Sequence, residues 1–352
     1  MIQKKKVKLT QGIIDIVTLT NTSGASVKLI SIGAGVMAVN VPDKYGVIGD
    51  VVLGYANVAD YIGDGPCAGK IPGRYSNRIA FGRFSLDGVE YTLPINNGPN
   101  CNHGGPDGFH NQIWTLIDSS DDSVTFEYVS QDGEAGFPGT LKARASYCWT
   151  DDNELQLHLT ATTDKKTVVN LTNHSYWNLA GHNSGSVLNH FLRLNAIKYL
   201  LTDNTLIPNG VEAPVLGTPM DFTSLKKIGE KINDEFPALI YGKGYDNCWI
   251  VDSWHPGIIK PVAELVDEQS GRILVVSTDQ PGIQIYTGNW LSGCPVNKAG
   301  RPYDDYDGVA IECQDFPNSP NTPSFPSTVL EPGQIYSRHI NFKFSIKSNK
   351  CS

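Results

Sequence analysis

Apolar and polar residues alternate along much of this chain, and the alternation predicts a protein built mainly of β-strands. Leu155, Leu157 and Leu159 occupy every second position of ELQLHLT, and the same period of two runs through VTFEYV (124–129) and HINFKFSI (339–346). Neighbouring side chains of a strand point to opposite faces, so each segment is predicted to be a strand with one buried face.

Turn signals separate these strands and leave little room for helices. In RFSLDGVEYTL (83–93) the pair Asp87-Gly88 stands between two alternating runs, which predicts a hairpin closed by a type I′ turn. The stretch DFTSLKKIGEKIND (221–234) is the best candidate for a short helix. Because many short strands and frequent turns run on without a linker-like segment, we expect one all-β domain over residues 1–352. The predicted architecture is a large antiparallel β-sandwich with few short helices.

Charge and hydropathy argue against two classes of partner. The formal net charge is −8, which disfavours binding to the phosphate backbone of a nucleic acid. No apolar run approaches the roughly 20 residues that cross a membrane, so we expect no membrane partner. The basic cluster Lys4, Lys5 and Lys6 is predicted to be a solvated terminus, because no apolar run of a signal peptide follows it.

The cysteines indicate a reducing compartment. They are scattered, without a close pair and odd in number: Cys67, Cys101, Cys148, Cys248, Cys294, Cys313 and Cys351. A framework of disulfides would need an even and more closely spaced set. We therefore predict a cytoplasmic protein.

Several motifs that bind metals or cofactors are missing from the sequence. It contains neither H-E-x-x-H nor C-x-x-C, so a zinc site has little support. It also lacks the phosphate-binding loop G-x-x-x-x-G-K-[ST] and the G-x-S-x-G turn of many serine hydrolases. We expect activity, if there is any, without a metal ion or an organic cofactor.

One histidine interrupts a segment that begins as a strand. In VNLTNHSYWNLAG (169–181), Val169 and Leu171 alternate with polar residues before the sequence turns to Asn-His-Ser-Tyr-Trp. His174 is then either a core histidine whose nitrogens are paired with neighbours or a group that acts on a ligand. Glu312 also has two interpretations. Val309 and Ile311 would face the opposite side of its strand, so Glu312 is either a surface carboxylate or one directed into a pocket.

Polar residues and aromatic residues recur together in five stretches. The stretches are GRYSNRIAFG (73–82), NCNHGG (100–105), NLTNHSYWNLAG (170–181), GYDNCWIVD (244–252) and GVAIECQDFPNSPN (308–321). Flat aromatic faces beside Asn, Asp, Arg and His suit a sugar, which has apolar C–H faces and a rim of hydroxyls. The competing interpretation is that these aromatic residues form the core.

Taken in order, the motifs resemble one enzyme family. GRYSNRIAFGRFSLDGVEYTLPIN, NHGG, VVNLTNHSYWNLAG, TLIPNG, GYDN, QPGIQIYTGNWL and FPSTVLEPGQIY follow one another as in the aldose 1-epimerase family, the galactose mutarotases. The resemblance runs from about residue 50 to the C-terminus. It implies a galactose mutarotase-like supersandwich with an open sugar cleft, no cofactor, and a free monosaccharide as the substrate.

The resemblance also assigns roles to residues. The acid falls on His174 and the base on Glu312, with His103 contacting the ring oxygen or orienting the acid. The sugar-binding positions fall on Asn77, Arg78, His103, His174, Tyr176, Asp246, Gln284 and Glu312. Trp177 stands where phenylalanine is common, and we expect this departure to alter the pocket wall. A monomer or weak homodimer is expected.

Three other functions remain open on the sequence. A non-catalytic carbohydrate-binding module would use the same aromatic and polar groups. An epimerase of hexose 6-phosphates would need a basic cluster, and Arg78 alone gives it thin support. A glycoside hydrolase would need two carboxylates, for which Asp246 and Glu312 are the candidates. For the epimerase, we expect Glu312 to have a pKa raised toward neutrality and His174 to have one near its unperturbed value. The predicted pH profile is bell-shaped, with its acid limb set by Glu312 and its basic limb by His174.

Overall fold

The computed structural model describes residues 1–347, and almost every regular element in that range is a strand. The strands, numbered in chain order, are β1 (Ile2–Leu9), β2 (Gly12–Thr20), β3 (Ser26–Ile30), β4 (Gly35–Pro42), β5 (Ile48–Asp50), β6 (Arg78–Ile79), β7 (Arg83–Leu86), β8 (Val89–Thr92), β9 (Cys101–Asn102), β10 (Thr115–Ser119), β11 (Ser123–Ser130), β12 (Leu141–Trp149), β13 (Glu154–Thr163), β14 (Thr167–Val168), β15 (Tyr176–Trp177), β16 (Phe191–Leu194), β17 (Lys198–Thr202), β18 (Pro208–Pro214), β19 (Lys226–Lys227), β20 (Asp246–Ile250), β21 (Lys260–Val266), β22 (Arg272–Thr278), β23 (Gly282–Tyr286), β24 (Val309–Gln314), β25 (Val329–Leu330) and β26 (Tyr336–Ile346).

Helices are few and short within residues 1–347. The α-helix is α1 (Pro237–Gly242), and single turns of 3₁₀ helix lie at Val58–Tyr61, Ala80–Gly82, Phe109–Asn111, Glu134–Gly136, Val187–Asn189, Ile228–Glu230 and Ser319–Asn321. None of these helices has the length and apolarity needed to span a bilayer.

Three large antiparallel sheets form the sandwich. A nine-stranded sheet has the order β10-β11-β12-β13-β26-β22-β21-β16-β19. Facing it are a five-stranded sheet, β1-β2-β3-β4-β5, and a six-stranded sheet, β15-β24-β23-β20-β17-β18. The core lies between these layers, where inward-facing side chains of all three sheets form one continuous cluster. This architecture confirms the predicted antiparallel β-sandwich.

The alternation read from the sequence corresponds to burial in the structure. Leu155, Leu157 and Leu159 of β13 are fully buried, while the residues between them are partly exposed. The hairpin β7–β8 is closed by Asp87 and Gly88, which both have positive φ as a type I′ turn requires. The period of two therefore identified which face of each strand enters the core.

The helix predicted over residues 221–234 is wrong. The Asp221 side chain accepts hydrogen bonds from the backbone and hydroxyl of Thr223, which closes a turn at the start of the segment. Residues 226–227 then pair with β16 as an edge strand, and only a single 3₁₀ turn follows. Pairing with the sheet outweighed a weak local helical pattern.

Six of the seven cysteines lie in the described part of the chain, and all six are free thiols: Cys67, Cys101, Cys148, Cys248, Cys294 and Cys313. Cys351 lies outside the described residues. The basic residues Lys4, Lys5 and Lys6 project from β1 as exposed side chains, as predicted for a solvated terminus.

Candidate active site

A cleft of about 960 Å³ opens over one face of the six-stranded sheet, and seven of the eight residues predicted to act on a sugar line it. Those seven are Asn77, Arg78, His103, His174, Tyr176, Asp246 and Glu312. The eighth, Gln284, is buried beneath the floor of the cleft and contacts Asp246.

Strand register brings the floor of the cleft together. Glu312 of β24 lies opposite Gln284 of β23, which lies opposite Cys248 of β20. Residues two apart on a strand share a face, so Tyr286 and Asp246 lie on the same side of the sheet as this row. The carboxylates of Glu312 and Asp246 therefore face the same cleft.

His174 lies on an extended segment that is buried on both sides, rather than on the regular strand that its sequence predicts. Residues 169–175 form no ladder with a neighbouring strand beyond a single bridge between Asn170 and Tyr75. The backbone N–H of His174 donates to the carbonyl of Lys70, and the carbonyl of His174 accepts from Gly69, both at 2.9 Å. These bonds fix the imidazole at the wall of the cleft.

The polar residues before His174 attach this segment to its neighbours. The Asn170 carboxamide accepts from the backbone N–H of Asp315 and donates to its carbonyl. The Thr172 hydroxyl donates to the carbonyl of Cys313, next to Glu312, at 2.6 Å. These side chains replace the ladder bonds that a buried extended segment would otherwise lack. They also hold the histidine against the strand that carries the glutamate.

The imidazole of His174 and the carboxyl of Glu312 face each other, with 3.5 Å between Nε2 and Oε1. Both side chains are almost inaccessible, and the second carboxyl oxygen of Glu312 has no hydrogen-bond partner among residues 1–347. Burial lowers the pKa of His174 to about 4. Burial, together with the negative charge of Asp246, raises the pKa of Glu312 well above its usual range. Both shifts favour the uncharged forms, because a charge is costly in this environment.

His103 is held as a hydrogen-bond donor. The backbone N–H of Asn77 donates to its Nδ1 at 3.1 Å, so the neutral ring carries its proton on Nε2. Burial, and the neighbouring His174, lower the pKa of His103 well below its usual range, which keeps the ring neutral. Its ring centre lies 5.3 Å from that of His174, edge to face.

Arg78, Asp246 and Gln284 form a continuous hydrogen-bonded row. Arg78 Nη2 donates to Asp246 Oδ2 at 3.0 Å, and Gln284 Nε2 donates to Asp246 Oδ1 at 2.6 Å. Both carboxylate oxygens are thus engaged, and Arg78 and Asp246 both line the cleft. This arrangement suits positioning of a ligand better than proton transfer by Asp246.

The aromatic residues divide between the cleft and the core. Tyr176 lines the cleft, its ring centre 4.9 Å from that of His174 and its hydroxyl donating to the carbonyl of Pro66. Trp177 instead packs on Phe342 and Phe344 in the core, so the expectation that it alters the pocket wall is wrong. Other buried aromatics of the polar stretches do not line the cleft: Tyr75, Tyr245, Trp249 and Phe316.

Three side chains offer a geometry that a metal ion could use. His103, His174 and Glu312 present ligand atoms within 4.8 Å of one another. A metal on Nε2 of His103, however, would require the ring proton on Nδ1, where the N–H of Asn77 already donates. Two donors would then face each other. The residues therefore fit proton transfer better than a resident metal ion.

Sequence reasoning missed several residues of the cleft. Tyr286 lies behind the histidine, with ring centres 6.3 Å apart, and its hydroxyl accepts from the backbone of Trp290 at the rim. Both belong to QPGIQIYTGNWL, where Tyr286 stands two residues after Gln284 and a period of two would have indicated that they share a face. Asn97 also lines the cleft and contacts Arg78, but nothing in the pattern of its loop indicates that contact.

Comparison with known proteins gives a consistent result. A model of the aldose 1-epimerase family matches residues 15–343. Galactose mutarotase of Rattus norvegicus is 42% identical over 321 residues, which cover 91% of this chain and 91% of the relative. Aldose 1-epimerase of Escherichia coli strain K12 is 38% identical over 333 residues, 94% of each chain.

Solved structures agree with the sequence relatives. An aldose epimerase homologue from C. elegans superimposes with a TM-score of 0.87 at 30% identity, over 98% of this chain and 100% of the other. Galactose 1-epimerase from Lactobacillus acidophilus gives a TM-score of 0.86 at 26% identity, over 99% of each chain. The resemblance found in the sequence and the supersandwich that it implies are both confirmed.

Proposed function

This chain belongs to the aldose 1-epimerase family, and from that premise we propose that it interconverts the α- and β-anomers of free hexoses such as galactose and glucose. It is an isomerase. We assign the role of general base to Glu312 and that of general acid to His174. The observation that carries the assignment is their pairing at 3.5 Å where the wall of an open cleft meets its floor.

The reaction needs one base and one acid. Glu312 removes the proton of the C1 hydroxyl, the C1–O5 bond breaks as the carbonyl forms, and His174 gives its proton to O5. Rotation about C1–C2 presents the other face of the aldehyde. Ring closure then returns the O5 proton to His174, while the protonated Glu312 gives its proton to the new C1 hydroxyl. Protons balance, and no redox partner is needed.

The short distance between acid and base fits this chemistry. The two oxygens that exchange protons, O1 and O5, are bonded to the same carbon, so their partners must also be near neighbours. A pair of carboxylates spaced for glycoside hydrolysis would instead be separated by about 5 Å or more. Asp246 is also engaged by Arg78 and Gln284, which leaves the hydrolase interpretation without a free second carboxylate.

The pair must hold one mobile proton to work. The pKa of His174 is lowered to about 4 and that of Glu312 is raised, so the proton rests on Glu312 in the empty site. Transfer of that proton to the facing Nε2 produces the carboxylate and the imidazolium that the reaction uses. Polar groups of a bound sugar stabilise this charged form, because each one solvates a charge that is otherwise buried.

The surrounding residues hold the sugar. His103 donates from Nε2 to the ring oxygen as negative charge develops there, since its other nitrogen is occupied by Asn77. Arg78 and Asp246 hold the peripheral hydroxyls, Gln284 fixes the Asp246 carboxylate from beneath the floor, and Tyr176 offers a flat wall beside His174. A phosphorylated hexose would need additional cations, and Arg78 already shares its charge with Asp246.

Polarimetry tests this function directly. Fresh solutions of α-glucose and α-galactose should reach anomeric equilibrium faster with the protein than without it. Glu312→Gln is the matched control, since it keeps the shape of the base and removes its chemistry. Folded wild-type protein that accelerates neither sugar would contradict the assignment, and sugar binding without acceleration would favour a carbohydrate-binding module.

We also propose an oligomeric state and a cellular compartment for the enzyme. All eight site residues come from one chain, which supports activity as a monomer or weak homodimer. Six free thiols support a location in the cytoplasm. Sedimentation at increasing protein concentration tests the first statement, and localisation of the tagged full chain in cells tests the second.

A further inference from the structure

We propose that Asn97 positions the substrate by fixing the guanidinium of Arg78. The proposal rests on the function assigned above. Asn97 Oδ1 accepts a hydrogen bond from Arg78 Nε at 2.9 Å, and the residue lies in the loop 95–100 at the edge of the cleft. Neither motif chemistry nor family resemblance assigns it a role.

Two hydrogen bonds, at different nitrogens, fix the orientation of the Arg78 guanidinium. Nε is bonded to Asn97, while Nη2 is bonded to Asp246 at 3.0 Å. Within residues 1–347 no protein group accepts a hydrogen bond from Nη1, and the side chain of Arg78 is only 9% exposed. Because the guanidinium group is planar, fixing these two nitrogens also fixes the directions of the Nη1 protons. The Nη1 protons are then left to donate hydrogen bonds to the hydroxyls of a sugar.

The loop that carries Asn97 is itself braced. The backbones of Asn97 and Asn100 exchange two hydrogen bonds, at 3.1 and 3.0 Å. The Asn96 side chain accepts from the backbone N–H of Asn102 at 2.7 Å and donates to its carbonyl at 3.0 Å. The acceptor of Asn97 is therefore in place before a ligand arrives, which reduces the ordering needed on binding.

Loss of this acceptor should weaken sugar binding without slowing the proton transfers. Arg78 would keep its charge and its bond to Asp246, but its plane would be free to rotate about that one contact. The hydroxyls held by Arg78 do not change their bonding during ring opening. Binding of substrate and of transition state should therefore fall equally, which raises KM and leaves kcat unchanged.

The experiment compares three variants with the wild type. Asn97→Ala removes the acceptor, Asn97→Asp keeps an acceptor oxygen, and Asn96→Ala removes two braces of the same loop but leaves Asn97 Oδ1. We measure kcat and KM by polarimetry, and the Kd of 1,5-anhydrogalactitol by calorimetry. That sugar lacks the anomeric hydroxyl, so its binding reports on the site independently of catalysis.

We expect Asn97→Ala to raise KM and this Kd about tenfold, with kcat within twofold of wild type, and Asn97→Asp to stay near wild type. A Kd for Asn97→Ala within twofold of wild type would overturn the proposal. So would an equal rise in Asn96→Ala, which would show that loop loosening causes the effect, or a fall in kcat at constant KM. Wild-type protein that binds 1,5-anhydrogalactitol but does not accelerate the mutarotation of galactose or glucose would contradict the proposed function and leave this inference standing.

Discussion

At the level of single residues, His174 and Glu312 have pKa values that differ from those of the same groups in water, because burial penalises the charged form of each. The mobile proton is shared between them, so their protonation behaves as a property of the pair. His103 differs in kind, since the Asn77 N–H makes it a fixed neutral donor. The neighbours of these three side chains in one cleft thus favour a different protonation behaviour for each.

Replacing the base should abolish most of the turnover. Glu312→Gln keeps the shape of the side chain but cannot accept the C1 proton, so we expect kcat to fall about 10²- to 10⁴-fold. 1,5-Anhydrogalactitol lacks the C1 hydroxyl on which Glu312 acts, so its Kd should stay close to wild type. Combining it with His174→Gln should cost less than the product of the two losses, because both groups act on one event. Wild-type turnover in Glu312→Gln would refute the role of base.

The pKa shifts reverse the expected assignment of the two pH limbs. The reaction needs the imidazolium and the carboxylate together. Below about pH 4 His174 is charged while Glu312 is still protonated, so the base is missing and the rate falls. Above the raised pKa of Glu312 the carboxylate forms beside a neutral imidazole, so the acid is missing. The acid limb therefore belongs to the histidine and the basic limb to the glutamate, opposite to what ordinary pKa values predict.

His174→Gln checks this reversal. Its residual rate depends on the carboxylate alone, so it should rise with pH through the raised pKa of Glu312. The measurement is the mutarotation rate between about pH 4 and 9, corrected for the rate without enzyme. A residual rate that is already maximal at about pH 5 would show that the Glu312 carboxyl has an ordinary pKa, and it would contradict the reversed assignment of the two limbs.

At the scale of elements, the site depends on a segment that is not a strand beside one that is. Residues 169–175 are held by side-chain hydrogen bonds and by isolated backbone bonds, whereas β24 pairs with β23 along its length and with β15 at its start. The ladder fixes Glu312 to the sheet. The side chains of Asn170 and Thr172 fix the neighbouring segment to the same strand region, because they bond to the carbonyls of Asp315 and Cys313, which follow Glu312.

Asn170→Ala tests this attachment. The change leaves the backbone groups of Asp315 and the carbonyl of Ser76 without a partner in a buried place, so we expect about 2–4 kcal/mol less stability. Urea unfolding measures it, with Asn209→Ala as control, since that exposed side chain accepts a hydrogen bond only from the nearby backbone N–H of Val211. Asn170→Ala should also lower kcat where the protein remains folded. Equal stability of the two variants would show that the carboxamide is not needed.

At the scale of the whole molecule, the layers share one core. The main cluster of buried apolar residues extends from Val17 in β2 to Phe344 in β26 and includes all three large sheets. We propose that residues 1–352 form a single domain. Chemical unfolding should then give one cooperative transition, with tryptophan fluorescence and circular dichroism coincident. Two separated transitions would divide the chain into independent units.

Activity should not depend on a metal ion. The tautomer of His103 is unsuited to metal binding, and the proton transfers need only the side chains described above. Prolonged treatment with EDTA, followed by removal of the chelator, should leave the mutarotation rate within experimental error of the untreated enzyme. A lost rate that returns on addition of zinc or manganese would refute the metal-free mechanism, and magnesium serves as the control ion.

The strand faces and the principal candidate residues could be predicted from the amino-acid sequence. A period of two in β13 and a Gly-containing turn after β7 are local signals, so they can be recognised without tertiary information. His174 and Glu312 were found through motifs whose order along the chain resembles one family. The helix over 221–234 failed because its pattern was weak and its partner, β16, lies far away in sequence.

The chemical behaviour of these groups depends on contacts between parts of the chain that are distant in sequence. Whether Trp177 faces the core and Tyr176 the cleft depends on which sheet packs on which face. The pKa of Glu312 depends on exclusion of water by elements distant in sequence. The contact of Asn97 with Arg78 joins a loop to a strand, and the bond of Asn77 to His103 sets a tautomer. Such properties arise from distances between remote residues and from local solvation, which no local pattern encodes.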